Sequence, residues 1–464
     1  MKMRRWQAEC IAQALKKYDA GQSHFLCLAT PGAGKTLMAA TLASKLLESR
    51  KIDLVICFAP STIVAEDFRI ELETRTRCRM DGLLGSKGCS LTYQSMLNLS
   101  ESFWTLLKQQ RVLVIFDEIH HCAGHTLEHA NAWGQKIIQN IQGKATYTMA
   151  LTGTPWRSDK VPIALSRYSH QGQIQRDYQY GLARAVADKV CRPPRIIAID
   201  NDRITVSGPK EERYTSFQAL LQASICSYQD LLENDRLIVY LLRQSSQKLT
   251  LIRRGQANAG GLIVAASVEH AHKIQSLLSS QLGEQAQIAT YVQEDAHRTI
   301  NDFRNSCDKW IISVGMISEG TNIPRLRVCC HLTRVKTELH FRQVLGRILR
   351  ADAENHEESF LYMPAEPNLV EYARRVADDL PGVETVKLEW MNATDNLDAP
   401  AAPPTSQTHA NNVFIDLGDP SPLDPVDTSA PKSGDNHSDL ANAYDATVNI
   451  FGRFRQEVLL LPFS

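Results

Sequence analysis

Short, continuous apolar runs rich in β-branched residues recur along the chain, separated by longer stretches of helical period. In the first half these runs are "HFLCLAT", "DLVICFAP", "CSLTYQS", "RVLVIFD", "YTMALTG" and "PRIIAID". Hydrophobicity that is continuous instead of alternating predicts strands covered on both faces, as in a parallel sheet flanked by helices. A helical stretch is expected from about Lys210 to Gly255, where Leu220, Leu221, Ile225, Tyr228, Leu231 and Leu232 fall at three-to-four spacing. The alternation then restarts with "GLIVAAS", "AQIATYV", "WIISVG", "RVCCHLT" and "SFLYMP", and "EHAHKIQSLLSSQL" reads as an intervening helix. Two α/β units in tandem follow from this pattern.

Past Met391 the pattern stops. "DAPAAPPTSQTHANN" and "DPSPLDPVDTSAPKSGDNHSD" are rich in Pro, Asp and Ser and short of aromatics, so they cannot bury enough surface to offset the entropy of ordering. The expected organisation is an α/β domain over residues 1–205, a helical connector over 206–256 and a second α/β domain over 257–390. A disordered acidic linker over 391–446 and a short apolar element over 447–464 complete it. That last element, "VNIFGRFRQEVLLLPFS", either packs back on the body or is a peptide for a protein partner.

Composition adds exclusions. At 43% apolar and 22% charged, the 464 residues are those of a globular chain. No apolar run reaches the roughly 18 residues a membrane span needs. The start, "MKMRRWQAEC", lacks the apolar core of a signal peptide, so a cytoplasmic location without a membrane partner is expected. The 11 cysteines include no CxxC pair, which fits reduced thiols better than a disulfide framework. The net charge of zero hides an asymmetry: 51 bases and 51 acids, of which three bases and ten acids lie from Met391 onward. That leaves 48 bases against 41 acids before it, a mild surplus compatible with a basic groove.

Chemistry enters with "ATPGAGKT", Ala29–Thr36, set between an apolar strand and the helical "LMAATLASKLLE". Glycines at this turn let backbone N–H groups wrap phosphates, Lys35 neutralises β/γ charge, and the Thr36 hydroxyl can ligate Mg2+. The helix that follows presents its positive end to the same anion. The candidate cradle is Thr30, Pro31, Gly32, Ala33, Gly34, Lys35 and Thr36. A nucleotide site then needs an acid at the end of another strand. "VLVIFDEIHHCAGH" supplies Asp117 to hold magnesium and Glu118 to orient or deprotonate the attacking water. A zinc reading of the same stretch would use His121, Cys122, His125 and His129, but paired-cysteine or HExxH spacing is lacking. "QVLGRILR" places Arg347 and Arg350 three apart on a helix, able to reach one polyanion together.

Taken in order, these stretches resemble the motifs of the superfamily 2 helicases and translocases over about residues 3–350. "MRRWQ" resembles the adenine-recognition element with Gln7 as base contact, "APS" (Ala59–Ser61) motif Ia, and "TYQS" (Thr92–Ser95) the next nucleic-acid motif. "DEIH" is similar to motif II, "TGTP" (Thr152–Pro155) to motif III, "LIVAAS" to motif IV, "SEGTNIP" (Ser318–Pro324) to motif V and "QVLGRILR" to motif VI. Within that superfamily the pattern is most similar to the DNA-directed group that includes type I and type III restriction motor subunits. DEAD-box RNA helicases would show DEAD at motif II and a His-Arg start to motif VI. Asn322 departs from the Asp common in motif V.

The resemblance implies two RecA-like domains with ATP and Mg2+ between them. Lys35, Thr36, Asp117 and Glu118 would come from one side, Arg347 and Arg350 from the other. It implies Gly320 at the nucleotide, and nucleic acid, DNA favoured over RNA, along Pro60, Ser61, Thr92, Gln94, Ser95 and Thr321. An ATP-dependent DNA helicase or translocase is expected; an RNA helicase or a nucleotide-sensing nucleic-acid scaffold are the alternatives. No PD…(D/E)xK nuclease arrangement is present. Arg75, Arg77 and Arg79 in "ETRTRCRM" alternate at strand period and are candidate DNA contacts. Trp6 and Trp156 are candidates either for stacking or for the core.

Overall fold

The computed structural model describes residues 3–380, apart from 125, 127, 155–160, 203, 208–211, 225, 294, 316–322 and 352–355, together with 447–450 and 454–458. Two sheets organise the chain. The first has six strands, all parallel, in the spatial order Gly88–Thr92, Leu54–Ala59, Val112–Phe116, Tyr147–Thr152, His24–Ala29 and Tyr178–Tyr180. Its apolar runs are continuous because successive side chains enter two different cores. Phe25, Cys27, Val55, Cys57, Leu113 and Ile115 join the cluster on one face. Leu26, Ile56, Phe58, Val112, Val114 and Phe116 join the cluster on the other.

Helix Lys35–Glu48 buries Met38, Leu42 and Leu46 on the first face, with helices Arg5–Asp19 and Thr62–Thr76 packed against it. Thr62–Thr76 starts where Ser61 accepts a hydrogen bond from the Val64 N–H and ends at Arg77, whose φ of 55° no helix continues. This overturns the strand-period reading of "ETRTRCRM". Arg75 lies on the last helical turn and pairs with Glu71, while Arg79 pairs with Asp81. A helix of 15 residues carries them about 22 Å from Ser61, away from the edge that bears the motifs.

The second sheet has seven strands, in the order Ala286–Thr290, Trp310–Val314, Gly260–Ala265, Leu326–Leu332, Ser359–Pro364, Pro194–Asn201 and Phe454–Val458. The first six are parallel; the last pairs antiparallel with Pro194–Asn201. "PRIIAID" was read with the first domain, but it hydrogen-bonds beside Ser359–Pro364 in the second sheet. Hydrophobic pattern reveals a buried strand but not which sheet receives it. The expected boundary at 205 therefore falls within strand Ile204–Ser207, after the chain has already crossed over.

The expected helical connector also begins differently, with strands Ile204–Ser207 and Glu212–Tyr214 in a small sheet with Thr447–Ile450. Its helical part is Phe217–Gln222, Tyr228–Leu232 and the 21-residue Asp235–Gly255, which covers the second sheet through Leu237, Leu241 and Leu249. At backbone level, 447–450 and 454–458 pair back onto the body. The acidic linker 391–446 lies outside the described residues. No described helix is long and apolar enough to cross a membrane.

Candidate nucleotide and nucleic-acid site

Parallel strands gather their C-terminal ends on one edge, and five sequence motifs lie there. In spatial order the edge carries Thr92–Ser95, Pro60–Ser61, Asp117–Glu118, Gly153–Thr154 and Thr30–Thr36. The phosphate loop and the two acids thus occupy strand ends separated by one strand, the crevice where open α/β sheets bind ligands. Gly32 and Gly34 adopt φ of 81° and 93°, left-handed values that a side chain would strain. Thr30 N–H donates to the Tyr180 carbonyl, 3.0 Å, which pins the start of the loop.

Lys35 is buried, and its Nζ lies 2.8 Å from Glu118 Oε1. Gly153 N–H donates to Glu118 Oε2, 3.0 Å. Burial pushes the Glu118 carboxyl up, but Lys35, His120 and the Gly153 N–H outweigh it and hold the group at about 2. His120 Nδ1 lies 2.9 Å from Thr152 Oγ1, and that hydroxyl donates to the Thr154 carbonyl, 2.6 Å. Motifs II and III are therefore one buried network. Asp117 is buried; its N–H donates to the Phe58 carbonyl, 2.9 Å. Thr36 is half-buried at the second position of its helix.

Helix Glu338–Ile348 brings the second domain to this edge, but it ends before Arg350, which bridges to Cys191, so Arg347 and Arg350 do not share the helix expected of them. A Cβ built on Gly346 would lie 2.6 Å from Pro31 Cβ, and one built on Gly32 would lie 2.8 Å from Arg350 Cγ. Arg347 is buried beside it. Burial and the like charge of Arg347 push the Arg350 guanidinium down to about 9. Arg350 thus packs against a glycine of the phosphate loop with the like charge of Arg347 near it, an arrangement suited to a polyanion. A cleft of about 780 Å³, lined among others by Thr30, Pro31, Gly153, Arg342, Gly346 and Leu349, runs between the domains here.

Other sequence-read residues are placed as follows. Gln7 is 0% exposed; its Oε1 accepts from Arg4 N–H, 2.7 Å, and its Nε2 donates to the Gly34 carbonyl, 2.9 Å. It braces the loop, as does Arg4, which donates to the Ala33 carbonyl, 2.7 Å. Trp6 is in the core, stacked on Tyr180 at 4.7 Å. Thr92 and Ser95 cap each other, with Ser95 N–H donating to Thr92 Oγ1 and Thr92 N–H to Ser95 Oγ, while Gln94 is exposed. Pro60 and Ser61 are half-exposed at the N-terminus of Thr62–Thr76, where helix N–H groups favour phosphate. Cys122 is buried and His129 exposed, so they do not face one ion, and no cluster suited to a metal occurs among the described residues. His125, Pro155, Trp156, Gly320, Thr321 and Asn322 lie outside the described residues.

Sequence reading missed Arg192. It is 0% exposed, and its Nη1 donates to the carbonyls of Pro324 (3.1 Å) and Arg350, while its N–H donates to the Leu349 carbonyl, 2.7 Å. The inter-domain segment is thereby fastened to the ends of motifs V and VI. "CRPP" resembles no motif, and the only local signal is a cation between a cysteine and two prolines.

Known proteins resemble this chain in sequence and in fold. Residues 1–157 match the family model of the type III restriction enzyme res subunit, and residues 243–352 match that of the helicase conserved C-terminal domain. An uncharacterised protein of Mycobacterium leprae is 29% identical over 392 residues, covering 80% of this chain. The chain spans 63% of that relative's length. Two solved structures share the fold. A fragment described as the HsdR subunit of a type I restriction enzyme from Vibrio vulnificus YJ016 has a TM-score of 0.56 and 16% identity, covering 82% of this chain and 67% of that one. Dbp5 of S. cerevisiae, bound to RNA and ADP BeF3, has a TM-score of 0.50 and 14% identity, covering 82% and 89%. In order along the chain, the first part thus matches a type III restriction enzyme res subunit and the second a helicase C-terminal domain, as superfamily 2 helicases would.

Proposed function

We propose that the protein is an ATP-driven motor that moves on nucleic acid, with DNA as the favoured track. The observation that carries the reading is the close approach of the second domain to the phosphate loop, Arg350 against Gly32 and Gly346 against Pro31, beside the Lys35–Glu118 pair of the first domain. Lys35 leaves Glu118 for the β/γ-phosphates when nucleotide enters, freeing that carboxylate to orient and accept a proton from water. Thr36 and Asp117 are the residues that would hold magnesium, which when bound would neutralise charge on the phosphate oxygens. Arg347 and Arg350 stabilise the negative charge that develops on the transferred group. Such arginines are worth roughly 10³–10⁵ in rate in comparable enzymes.

Hydrolysis removes the anion on which the second domain's arginines close, so cleft closure is tied to nucleotide state. Pro60, Ser61, Thr92, Gln94 and Ser95 form a strip on the same strand-end edge, suited to backbone phosphates. The preference for DNA is supported by the match to a restriction-enzyme res subunit and by "DEIH" and "FRQVLGRILR" in place of DEAD-box forms. The test is ATP turnover and strand displacement with single-stranded DNA, duplex DNA and RNA at matched salt, with Lys35→Ala and Glu118→Gln as controls. Stimulation greatest with DNA supports the reading. Stimulation by RNA alone makes the protein an RNA motor, and equal rates with every polymer and with none remove the motor altogether.

A further inference from the structure

We propose that Tyr93 is a positioning residue that ties the nucleic-acid strip to the peptide bearing the magnesium carboxylate and the base. The inference rests on the reading of Glu118 as that base.

Tyr93 opens the short helix Tyr93–Met96, directly after Thr92 and before the exposed Gln94. Its own side chain turns inward and is 0% exposed, with its ring stacked 5.6 Å from Trp133 and 6.5 Å from Phe58. The hydroxyl donates to the Asp117 carbonyl, 2.8 Å. These two residues follow strands that are not neighbours, because Leu54–Ala59 lies between Gly88–Thr92 and Val112–Phe116. The phenol spans that intervening strand. The Asp117 backbone is thus held at both ends, by its N–H on the Phe58 carbonyl and by its carbonyl on Tyr93.

What this grip controls is the next residue. Glu118 has φ 47° and ψ 54°, a left-handed conformation uncommon for a residue with a side chain. Such a conformation persists only where neighbours over-determine it, and the Asp117–Glu118 peptide is the unit that would rotate on relaxing. Tyr93 fixes the carbonyl of that peptide; Lys35 and the Gly153 N–H fix the carboxylate beyond it. A displacement of the Thr92–Ser95 turn by a bound strand therefore passes through one hydrogen bond to the geometry of the base.

Tyr93→Phe keeps the ring and removes only the hydroxyl. The experiment is single-turnover ATP hydrolysis with saturating oligothymidylate in wild type, Tyr93→Phe, Glu118→Gln and the double variant. Binding of a fluorescent ATP analogue and thermal melts accompany it. The expected result for Tyr93→Phe is a maximal rate about tenfold lower with KM for ATP and analogue affinity within about twofold, since the lost interaction is felt in the reacting geometry alone. In the Glu118→Gln background the same change should cost nothing further, because two residues acting through one group are not additive. Wild-type turnover in Tyr93→Phe, an equal loss in both backgrounds, or a melting temperature lower by more than roughly 10 °C overturns the proposal, the last by assigning the hydroxyl to the fold. If Glu118→Gln itself hydrolyses at the wild-type rate, the reading of Glu118 as the base fails instead.

Discussion

Gly346 offers a substitution whose effects on stability and on activity should have opposite signs. It lies inside helix Glu338–Ile348, where alanine is favoured over glycine by about 1 kcal/mol because less backbone entropy is lost. Across the cleft, however, the added Cβ would stand 2.6 Å from Pro31 Cβ and 3.2 Å from Pro31 Cγ. Carbon atoms in contact prefer roughly 3.5–4.0 Å. The proline ring is fused to the phosphate-loop backbone and cannot swing aside as a long side chain would. Overpacking of this kind costs about 1–3 kcal/mol. The helix gain applies in every state of the protein, whereas the clash exists only where the second domain rests on the loop. Gly346→Ala should therefore raise or preserve the melting temperature of the second domain, by up to about 2–4 °C for a unit of this size. It should also shift the cleft away from the seated arrangement by roughly 5- to 150-fold. Nucleic-acid-stimulated ATP turnover should fall tenfold or more, alongside the unchanged or higher melt. A variant with wild-type turnover would refute the claim that this contact belongs to the working state.

Further outcomes follow from the same site. Lys35→Ala should weaken nucleotide binding in calorimetry and lower the melting temperature, since it leaves Glu118 charged without its partner; adding Glu118→Gln should restore much of the melt but not the binding. Glu118→Gln alone should bind nucleotide normally yet turn over about 10²–10⁴-fold more slowly in a phosphate-release assay. The Glu118 carboxyl is held at about 2 in the folded protein, below its ordinary 4.5. Its stabilising contribution is then complete above the unfolded value and lost as pH falls toward 2. Denaturant titrations across pH should show a stability difference between wild type and Glu118→Gln that is flat from about pH 5 to 8 and shrinks below about 4.5.

Much of the fold was written in local pattern. Strands such as "VLVIF" and "HFLCL" are apolar without a break because both faces of their sheets are covered, and that signal survives without knowing any partner. The phosphate loop and "DEIH" were legible because glycine conformation and adjacent acids are local requirements. Long-range pairing was not. "PRIIAID" reads as a buried strand but joins the sheet of residues far beyond it. Arginines 75, 77 and 79 alternate as though on a strand, yet they are the last helical turn, its cap and the segment after it. Gln7 illustrates a third case: the resemblance makes it a base contact, but both ends of its amide are engaged by the protein itself, on Arg4 and on the phosphate loop. Arg192 and the Tyr93 hydroxyl carry no sequence signature, because their partners are backbone carbonyls brought near by the tertiary fold.

The most direct measurement is a structure with magnesium and a non-hydrolysable ATP analogue bound. The account predicts guanidinium nitrogens of Arg347 and Arg350 within about 2.7–3.2 Å of terminal phosphate oxygens that Lys35 also contacts. An analogue seated on Lys35 with both arginines turned to solvent would contradict it.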